Sequence, residues 1–278
     1  MQIIHTIYKF DSKGVALIFL IFGLMEWLAG MYRNSKRTRD DWWIEGVGFL
    51  TLGTMFQPAI IFFTGFMLEK LLPSYEGCLS GMSWWLKIVI LLVFEDMAHY
   101  WFHRLAHSRL WLWRLHKAHH TAPEMGVGVV QRNAALFYAL MPNIWIGGCL
   151  IYLGFGQVYM IYVIVKMLVV TAAHSPLKWD RFLYKYRIFH PLAWVLERTI
   201  TTPATHFAHH GVSEEDGISA PNGNFSNLFF FWDVLFGTAV ITRRYPEHFG
   251  VADEEIDPWY VQLFYPLFRS KKKGSQLQ

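Results

Sequence analysis

In a chain of 278 residues, 54% hydrophobic against 17% charged, with a positive mean hydropathy, is not the balance of a water-soluble protein and points to a bilayer. Aromatic residues make up 18%, with 13 Trp and 13 Tyr, as expected where amphipathic rings sit at a membrane interface. Disorder and coiled coil are excluded, and Cys78 and Cys149 form neither a CxxC pair nor a disulfide framework, which removes sulfur chemistry and thiolate metal sites.

Taken in chain order, mainly apolar stretches near 14–30, 45–69, 83–98, 134–153 and 157–173 are long enough to cross about 30 Å of hydrocarbon, predicting four or five crossings. The first follows Lys9 and Lys13 and ends at Glu26 and Trp27 without a small-residue cleavage site, so it reads as a retained helix and not a removed signal. Pro58 predicts a kink or break in the second. Gly154 and Gly156, with no charge between the last two stretches, predict a tight hairpin that need not fully cross. The fold expected is all-α and integral to the membrane, with four to five transmembrane or re-entrant helices and a helical, histidine-rich cap on the cytosolic side.

The cytosolic side follows from the basic residues. Arg33, Lys36, Arg37 and Arg39, the 99–133 region and the chain beyond His174 are rich in Lys and Arg, whereas the loop after Lys70 up to residue 82 has none. By the positive-inside rule that loop is external and the rest cytoplasmic, in a bacterial inner membrane or an endoplasmic reticulum membrane. The Lys271 to Lys273 run reads as a solvated tail near anionic headgroups and not as a nucleic-acid contact. Beyond His174, Pro176, Pro191, Pro203, Pro221, Pro246 and Pro258 break the apolar runs, which predicts a compact cap with an interfacial surface. No sequence repeat is present. Three regions are expected: N-terminal membrane helices over 1–83, a histidine-rich domain over 84–240, and a C-terminal cytosolic tail over 241–278.

Histidine carries the chemistry. His99, His103 and His107 are spaced four apart, so on a helix they form one stripe. His116, His119 and His120 in HKAHH and His206, His209 and His210 in HFAHH repeat the HxxHH spacing, which on a helix aims three rings towards one side. His174, at the end of the fifth apolar stretch, is a candidate to join them. Imidazole suits Fe, Zn, Cu and Ni, while Mg and Ca want oxygen. Eight to ten nitrogens exceed one tetrahedral zinc and fit two metals. Neither HExxH nor the carboxylate-bridged ExxH pattern of soluble diiron bundles occurs. Asp96 is placed to orient a ligand ring, and Glu95 and Asp96 beside a span call for a partner. His5, His190 and His248 stand alone and read as surface or satisfied histidines.

The string EDMAHYWFHRLAHSRLWLWRLHKAHH (95–120), followed by TTPATHFAHHG (201–211) and NGNFSNLFFFWDVLFGT (222–238), resembles the fatty acid hydroxylase and sterol desaturase superfamily over most of 85–240. The resemblance implies an integral-membrane, histidine-ligated diiron oxygenase with cytosol-facing metals over a lipid-accessible pocket. It makes His103 a ligand whichever way the first box is read and leaves His99 and His107 as competitors. Asn222, Asn224, Trp232, Asp233, Gly237 and Thr238 look like the family's closing segment, where Asp233 is placed to accept a ligand's N–H or simply to make a turn. The spacing from His174 to His206 is longer than in many members, which keeps His190 as an alternative to His174.

On this resemblance two iron ions use dioxygen and external electrons to hydroxylate, or by the same oxidant desaturate, a sterol, fatty acyl, alkyl ether or carotenoid substrate entering from the bilayer. No GxGxxG in a strand-to-helix context and no CxxCH occur, so electrons are expected from a separate cytochrome, ferredoxin or reductase. The rivals are a membrane zinc hydrolase, for which Glu124 and Glu197 are the convenient general bases, and a metal transporter or haem-binding electron carrier.

Overall fold

A computed structural model describes residues 2–252 and 256–269, with side chains from Lys13 onward. The Lys271 to Lys273 run and the side chains of His5 and Lys9 lie outside the described residues. Among those described there is no strand, only an isolated bridge between Gly211 and Phe249, and the chain is helical as expected.

Helix α1 is Gln2–Leu28. Helix α2 runs over Arg39–Leu71, opened by Thr38, whose side chain accepts from the Asp41 N–H while the Asp41 carboxylate accepts from the Thr38 N–H. This reciprocal cap, with Asp40 and Asp41 in the first turn, complements the free N–H groups there. Helix α2 widens to π geometry over Phe49–Phe56, and Pro58 falls in the first turn after that stretch, where its missing N–H is tolerated. The predicted break is therefore taken up as a local widening, and the helix continues. Helix α3 (84–108) starts at the N-cap Ser83 and likewise opens to π geometry at Leu91–Asp96 before carrying the first histidine stripe. It stops at Arg109, which is extended, and α4 (Leu110–His120) folds back against it.

Helix α5 (142–155) and α6 (Gly156–His174) are separated at Gly154, with φ 110°. The reversal is tight enough for Gly147 to lie under the Tyr159 ring, so the predicted hairpin is present. Its tip is held by the 70–82 loop: the Gly77 and Leu79 N–H groups donate to the Tyr152 and Leu153 carbonyls. The buried Lys87 ammonium donates to the carbonyls of Ser80 (2.9 Å) and Gly154 (2.8 Å), which are the natural partners for a charge in an apolar setting. Among the described residues two stretches, Arg39–Leu71 and Pro142–His174, the latter containing the reversal at Gly154, are long and apolar enough by length and composition to cross a membrane, where the sequence led to an expectation of four to five spans.

The core falls into adjoining clusters. Leu52 and Ile60 of α2 pack with Phe102 and Ala106 of α3, Leu115 of α4, and Leu263 from the short helix Trp259–Phe264. That helix belongs to the segment expected as a cytosolic tail, and Leu263 is fully buried. Phe19 of α1 packs on Val170 of α6 and on Val127 and Val130 of the connecting loop. Outward faces carry exposed apolar residues such as Leu20, Leu24, Phe63, Trp85, Ile161 and Leu168, far more than water tolerates on one surface. Beyond α6, α7 (His190–Thr199) and α8 (Pro203–His209) form the region expected as a cap. Ile188, Leu192 and Trp194 on it are exposed.

At Gly154 a side chain would be strained by the positive φ and would stand 2.7 Å from the Ser80 nitrogen. Gly154→Ala is expected to cost about 1–3 kcal/mol, read as a lowered thermal unfolding midpoint in detergent; an unchanged midpoint would show that the tip does not hold the hairpin.

Candidate metal centre

Four helix segments converge on one buried volume: the C-terminal halves of α3 and α4, the end of α6, and α8. The last is held in place at its start. Thr202 caps it, Pro203 occupies its first turn, and the buried Asp180 carboxylate accepts from the Ala204 N–H at 2.7 Å. Burial pushes the Asp180 carboxyl up, against hydrogen bonds from Tyr245 and Ala204 that favour the charged form.

The histidines sort into two groups. His103, His107, His116, His120 and His209 form one, and His119, His174, His206 and His210 the other, with the ligand nitrogens of each group within 4.8 Å of one another. Each HxxHH box thus serves both groups instead of aiming all its rings one way. Consecutive residues on a helix point about 100° apart, so His120 and His209 go to the first group while their neighbours His119 and His210 go to the second. The two sets touch where the His120 and His210 rings stack at 4.5 Å.

Hydrogen bonds set the tautomers. His103 Nδ1 donates to the Phe225 carbonyl (2.7 Å), His209 Nδ1 to the Gly223 carbonyl (2.7 Å), His119 Nδ1 to the Val129 carbonyl (3.0 Å) and His174 Nδ1 to the Val170 carbonyl (2.8 Å), while Asn133 Oδ1 accepts from His116 Nδ1 (2.8 Å). A carbonyl only accepts, so the proton is on Nδ1 and each neutral ring turns an Nε2 lone pair inward. Nε2 of His103 lies 2.9 Å from that of His116 and 3.1 Å from that of His209. His174 Nε2 lies 3.4 Å from His119 Nε2 and 2.9 Å from His206 Nε2. Lone pairs facing each other this closely repel unless a cation sits between them. Nitrogens about 2.0–2.1 Å from one metal stand about 2.8–3.4 Å apart at angles from octahedral to tetrahedral, which the observed spacings match. His107 Nε2 and His120 Nε2 are buried with no hydrogen-bond partner, as unclaimed ligand atoms would be. The residues therefore fit two imidazole-bound metal ions of the first transition row.

His99 belongs to neither group. Its Nε2 accepts from Asn227 Nδ2 at 2.7 Å. His190 is half-buried and bonds the Tyr184 carbonyl, whereas His174 lies inside the second group, and His248 is exposed.

The expected orienting roles of two carboxylates are displaced by one step. Asp233 touches no histidine. It accepts from the Phe225 and Ser226 N–H groups, both at 2.8 Å, and from the Thr238 hydroxyl, and so fixes the carbonyl that orients His103. Asp96 accepts from the Phe229 N–H and the Trp232 indole N–H and lies 3.4 Å from Lys166 Nζ. The partner sought for Glu95 is that same lysine, at 2.7 Å. Asn224 braces the segment by donating to the Thr205 and Val240 carbonyls. A side chain at Gly223 would meet the Thr238 carbonyl at 2.7 Å, so glycine lets the backbone that orients His209 approach closely.

In the loop between α4 and α5, Asn133 and Val129 were not singled out in the sequence, yet they supply the acceptors for His116 and His119. The loop's fully buried Arg132 pairs with Asp41 at 2.7 Å and donates to the Ala118 carbonyl. Glu26 of α1 accepts from the Val127 N–H, and Arg37 bridges Glu45 and Glu124.

A cavity of about 140 Å³ opens against both groups, touching His103 and His116 of the first and His119 and His174 of the second, and running between Pro58 and Ile61 of α2 and Val163 and Met167 of α6.

A helical scaffold with two buried imidazole groups that could each hold a metal ion beside a largely apolar cavity, and with stretches apolar enough to cross a membrane, has the architecture of the membrane metalloprotein class. A family model described as fatty acid hydroxylase matches residues 88–238, over half of the chain, and the chain belongs to that family. It is similar to alkylglycerol monooxygenases: 24% identical to that of Xenopus tropicalis over 58% of this chain and 31% of that protein. Against that of Danio rerio the identity is 25% over 57% and 31%, and against that of Homo sapiens 24% over 51% and 28%. The chain spans about a third of the length of these relatives. No solved structure matches it.

Burial holds the His103 imidazole down at about 4. Burial, reinforced by neighbouring imidazoles, holds His119, His120 and His210 well below the usual value near 6.5. The unfolded chain takes up protons as pH falls through about 6.5 while the folded rings stay neutral, so stability is present above that pH and is lost below it, by up to about 1.4 kcal/mol per ring per pH unit. The unfolding midpoint is expected to drop between about pH 7.5 and about pH 5.5; a midpoint that rises on acidification would contradict buried neutral imidazoles. Asp233→Ala frees the Phe225 carbonyl and is expected to weaken metal binding about 10–100-fold, measured by competition with a chelator. Undiminished affinity would show that His103 orients itself.

Proposed function

We propose that this protein is a membrane-bound, O2-dependent diiron oxygenase that hydroxylates a lipid. The observation that carries this reading is the pair of imidazole groups facing one apolar cavity, together with membership of the fatty acid hydroxylase family. His103, His107, His116, His120 and His209 would hold one iron, and His119, His174, His206 and His210 the other. When bound, the irons supply dioxygen activation and oxidation of an unactivated C–H bond.

The chain's own residues do the rest. Five Nδ1 hydrogen bonds keep the ligand rings neutral and aimed. The apolar walls from α2 and α6 exclude water and align an alkyl chain with its reacting carbon against His103 and His119. Electrons come from a separate redox protein, a cytochrome, ferredoxin or reductase. The names of the relatives favour an alkyl ether of glycerol as substrate, with hydroxylation ahead of desaturation. The charge distribution favours a multi-pass topology in which 84–240 presents the histidines to the cytoplasm. The zinc hydrolase is disfavoured by its two bases: Glu124 is engaged by Arg37 and Ser35, Glu197 by Arg198 and Arg243, and neither lines the cavity.

The test is purification under anaerobic, iron-supplemented conditions, elemental analysis, and oxygen consumption with an alkylglycerol. About two irons per chain and stoichiometric oxygen-dependent product are expected. His120→Ala and His209→Ala are each expected to lower bound iron and abolish product while leaving membrane insertion intact. Full activity in either variant, or turnover that continues without oxygen, would overturn the assignment.

A further inference from the structure

Beside the histidine groups and the polar side chains of Gln57, Gln131, Asn133, Tyr138 and Tyr159, the largely apolar cavity is lined by a cluster of His99, Asn227, Glu95, Asn143 and Lys166. Most of that cluster is internally satisfied. Lys166 Nζ donates to Glu95 Oε2 at 2.7 Å and lies 3.4 Å from Asp96, Tyr162 donates to the same Glu95 oxygen, and Asn143 Nδ2 donates to Glu95 Oε1 at 3.1 Å. Two atoms are left over. Because His99 Nε2 accepts from Asn227, the neutral ring carries its proton on Nδ1, and that N–H is buried with no acceptor. Because Asn143 Nδ2 is committed to Glu95, Asn143 Oδ1 is turned away, buried and with no donor. His99 and Asn143 are 9% and 5% exposed.

We propose that His99 is not a metal ligand but, with Asn143, forms a polar clamp for a free hydroxyl group on the lipid that occupies the cavity. This rests on the cavity being the lipid site of the proposed oxygenase, and narrows the substrate class. A buried donor and a buried acceptor left unpaired each carry a desolvation penalty, so the ligand that relieves both is preferred. A hydroxyl accepts from His99 and donates to Asn143. A methyl ether accepts only, and an alkane does neither. A carboxylate satisfies His99, offers nothing to Asn143, and adds a third negative charge to a wall where Lys166 already faces both Glu95 and Asp96. The His99 ring lies 6.2 Å from the His103 ring, so a hydroxyl held there fixes the lipid next to the first histidine group. Asn227 and Glu95 are positioning residues that set the tautomer of one clamp member and the amide orientation of the other.

The test uses the iron-loaded protein kept anaerobic, so that binding is read without turnover. Hexadecanol, its methyl ether, hexadecane and palmitate are titrated against the wild type, His99→Phe, His99→Gln and Asn143→Ala, and iron per chain is measured for each. The wild type is expected to bind hexadecanol about tenfold more tightly than the ether or palmitate, the size of one or two net hydrogen bonds. His99→Phe and Asn143→Ala are expected to keep their iron and their hexadecane affinity while losing that preference, and His99→Gln, which restores an N–H donor, to recover part of it. Retained hexadecane binding certifies folding, and Asn143→Ala decides the matter if His99→Phe does not fold. Loss of iron in folded His99→Phe would make His99 a ligand and overturn the proposal, as would an absent preference in the wild type, a preference for palmitate, or a preference unchanged in the variants. Selective alcohol binding by a protein that consumes no oxygen would instead sink the oxygenase reading and leave the clamp standing.

Discussion

The structure depends on packing nine imidazoles into a water-excluded volume without letting them take up protons. A buried charged ring is costly, and a buried neutral ring with an unsatisfied N–H is costly too. The chain meets both constraints by giving Nδ1–H of five rings a fixed acceptor and leaving Nε2 as an inward lone pair. Four of those acceptors are backbone carbonyls, which cannot donate and so admit one tautomer only. Neutral rings arranged in this way turn lone pairs towards one another, an arrangement that bound cations would relieve. The same hydrogen bonds that make it an expensive core make it a preorganised metal site.

Of those carbonyls, that of Val170 lies within α6, while those of Val129, Gly223 and Phe225 belong to loops, where backbone is least constrained. The chain therefore spends its buried charges on holding them. Arg132, fully buried, ties the loop that carries Val129 and Asn133 to Asp41 at the start of α2 and to the Ala118 carbonyl of α4, while Glu26 of α1 receives the Val127 N–H. Asp233 gathers the Phe225 and Ser226 amides. Breaking such a pair by removing one partner leaves an uncompensated buried charge, so these ionic groups are better understood as fasteners for ligand geometry than as net contributors to stability. Lys166 with Glu95 and Asp96 does the same between α6 and α3, and in addition orients Asn143 on the cavity wall.

The parts legible in the sequence are those that depend on local periodicity. Helical spacing placed His103 and His107 on one stripe, the HxxHH boxes announced a metal-binding constellation, and the glycines at 154 and 156 marked a reversal. What was not legible depends on contacts between distant segments. That His107 falls in the first group while His99 lies outside it, bonded to Asn227 from far along the chain, is something no spacing rule within the box reports. Asp233 looked like a direct partner for a ligand because carboxylates commonly are, but the Phe225 carbonyl stands between them. Asn133 carried no local signal at all, since a lone Asn in a loop is ordinary until the fold sets it against His116. The hairpin was visible in two glycines, whereas its clamp, Lys87 donating to the Gly154 carbonyl, required the packed structure.

The HH dipeptides explain why the histidines fall into two groups and not one large one. Two adjacent helical residues diverge by about 100°, so neither His119 with His120 nor His209 with His210 can crowd around a single ion without distorting the helix. Each pair instead straddles the boundary between the groups, and the stacked rings of His120 and His210 set how near the two centres stand. The separation between sites is thereby fixed by helix geometry on α4 and α8 at once. A shift of either helix moves ligands of both sites together, so the two centres form one mechanical unit. The cavity meets that unit at two rings from each group, so an alkyl chain bound there would lie beside both groups without asking the backbone to move.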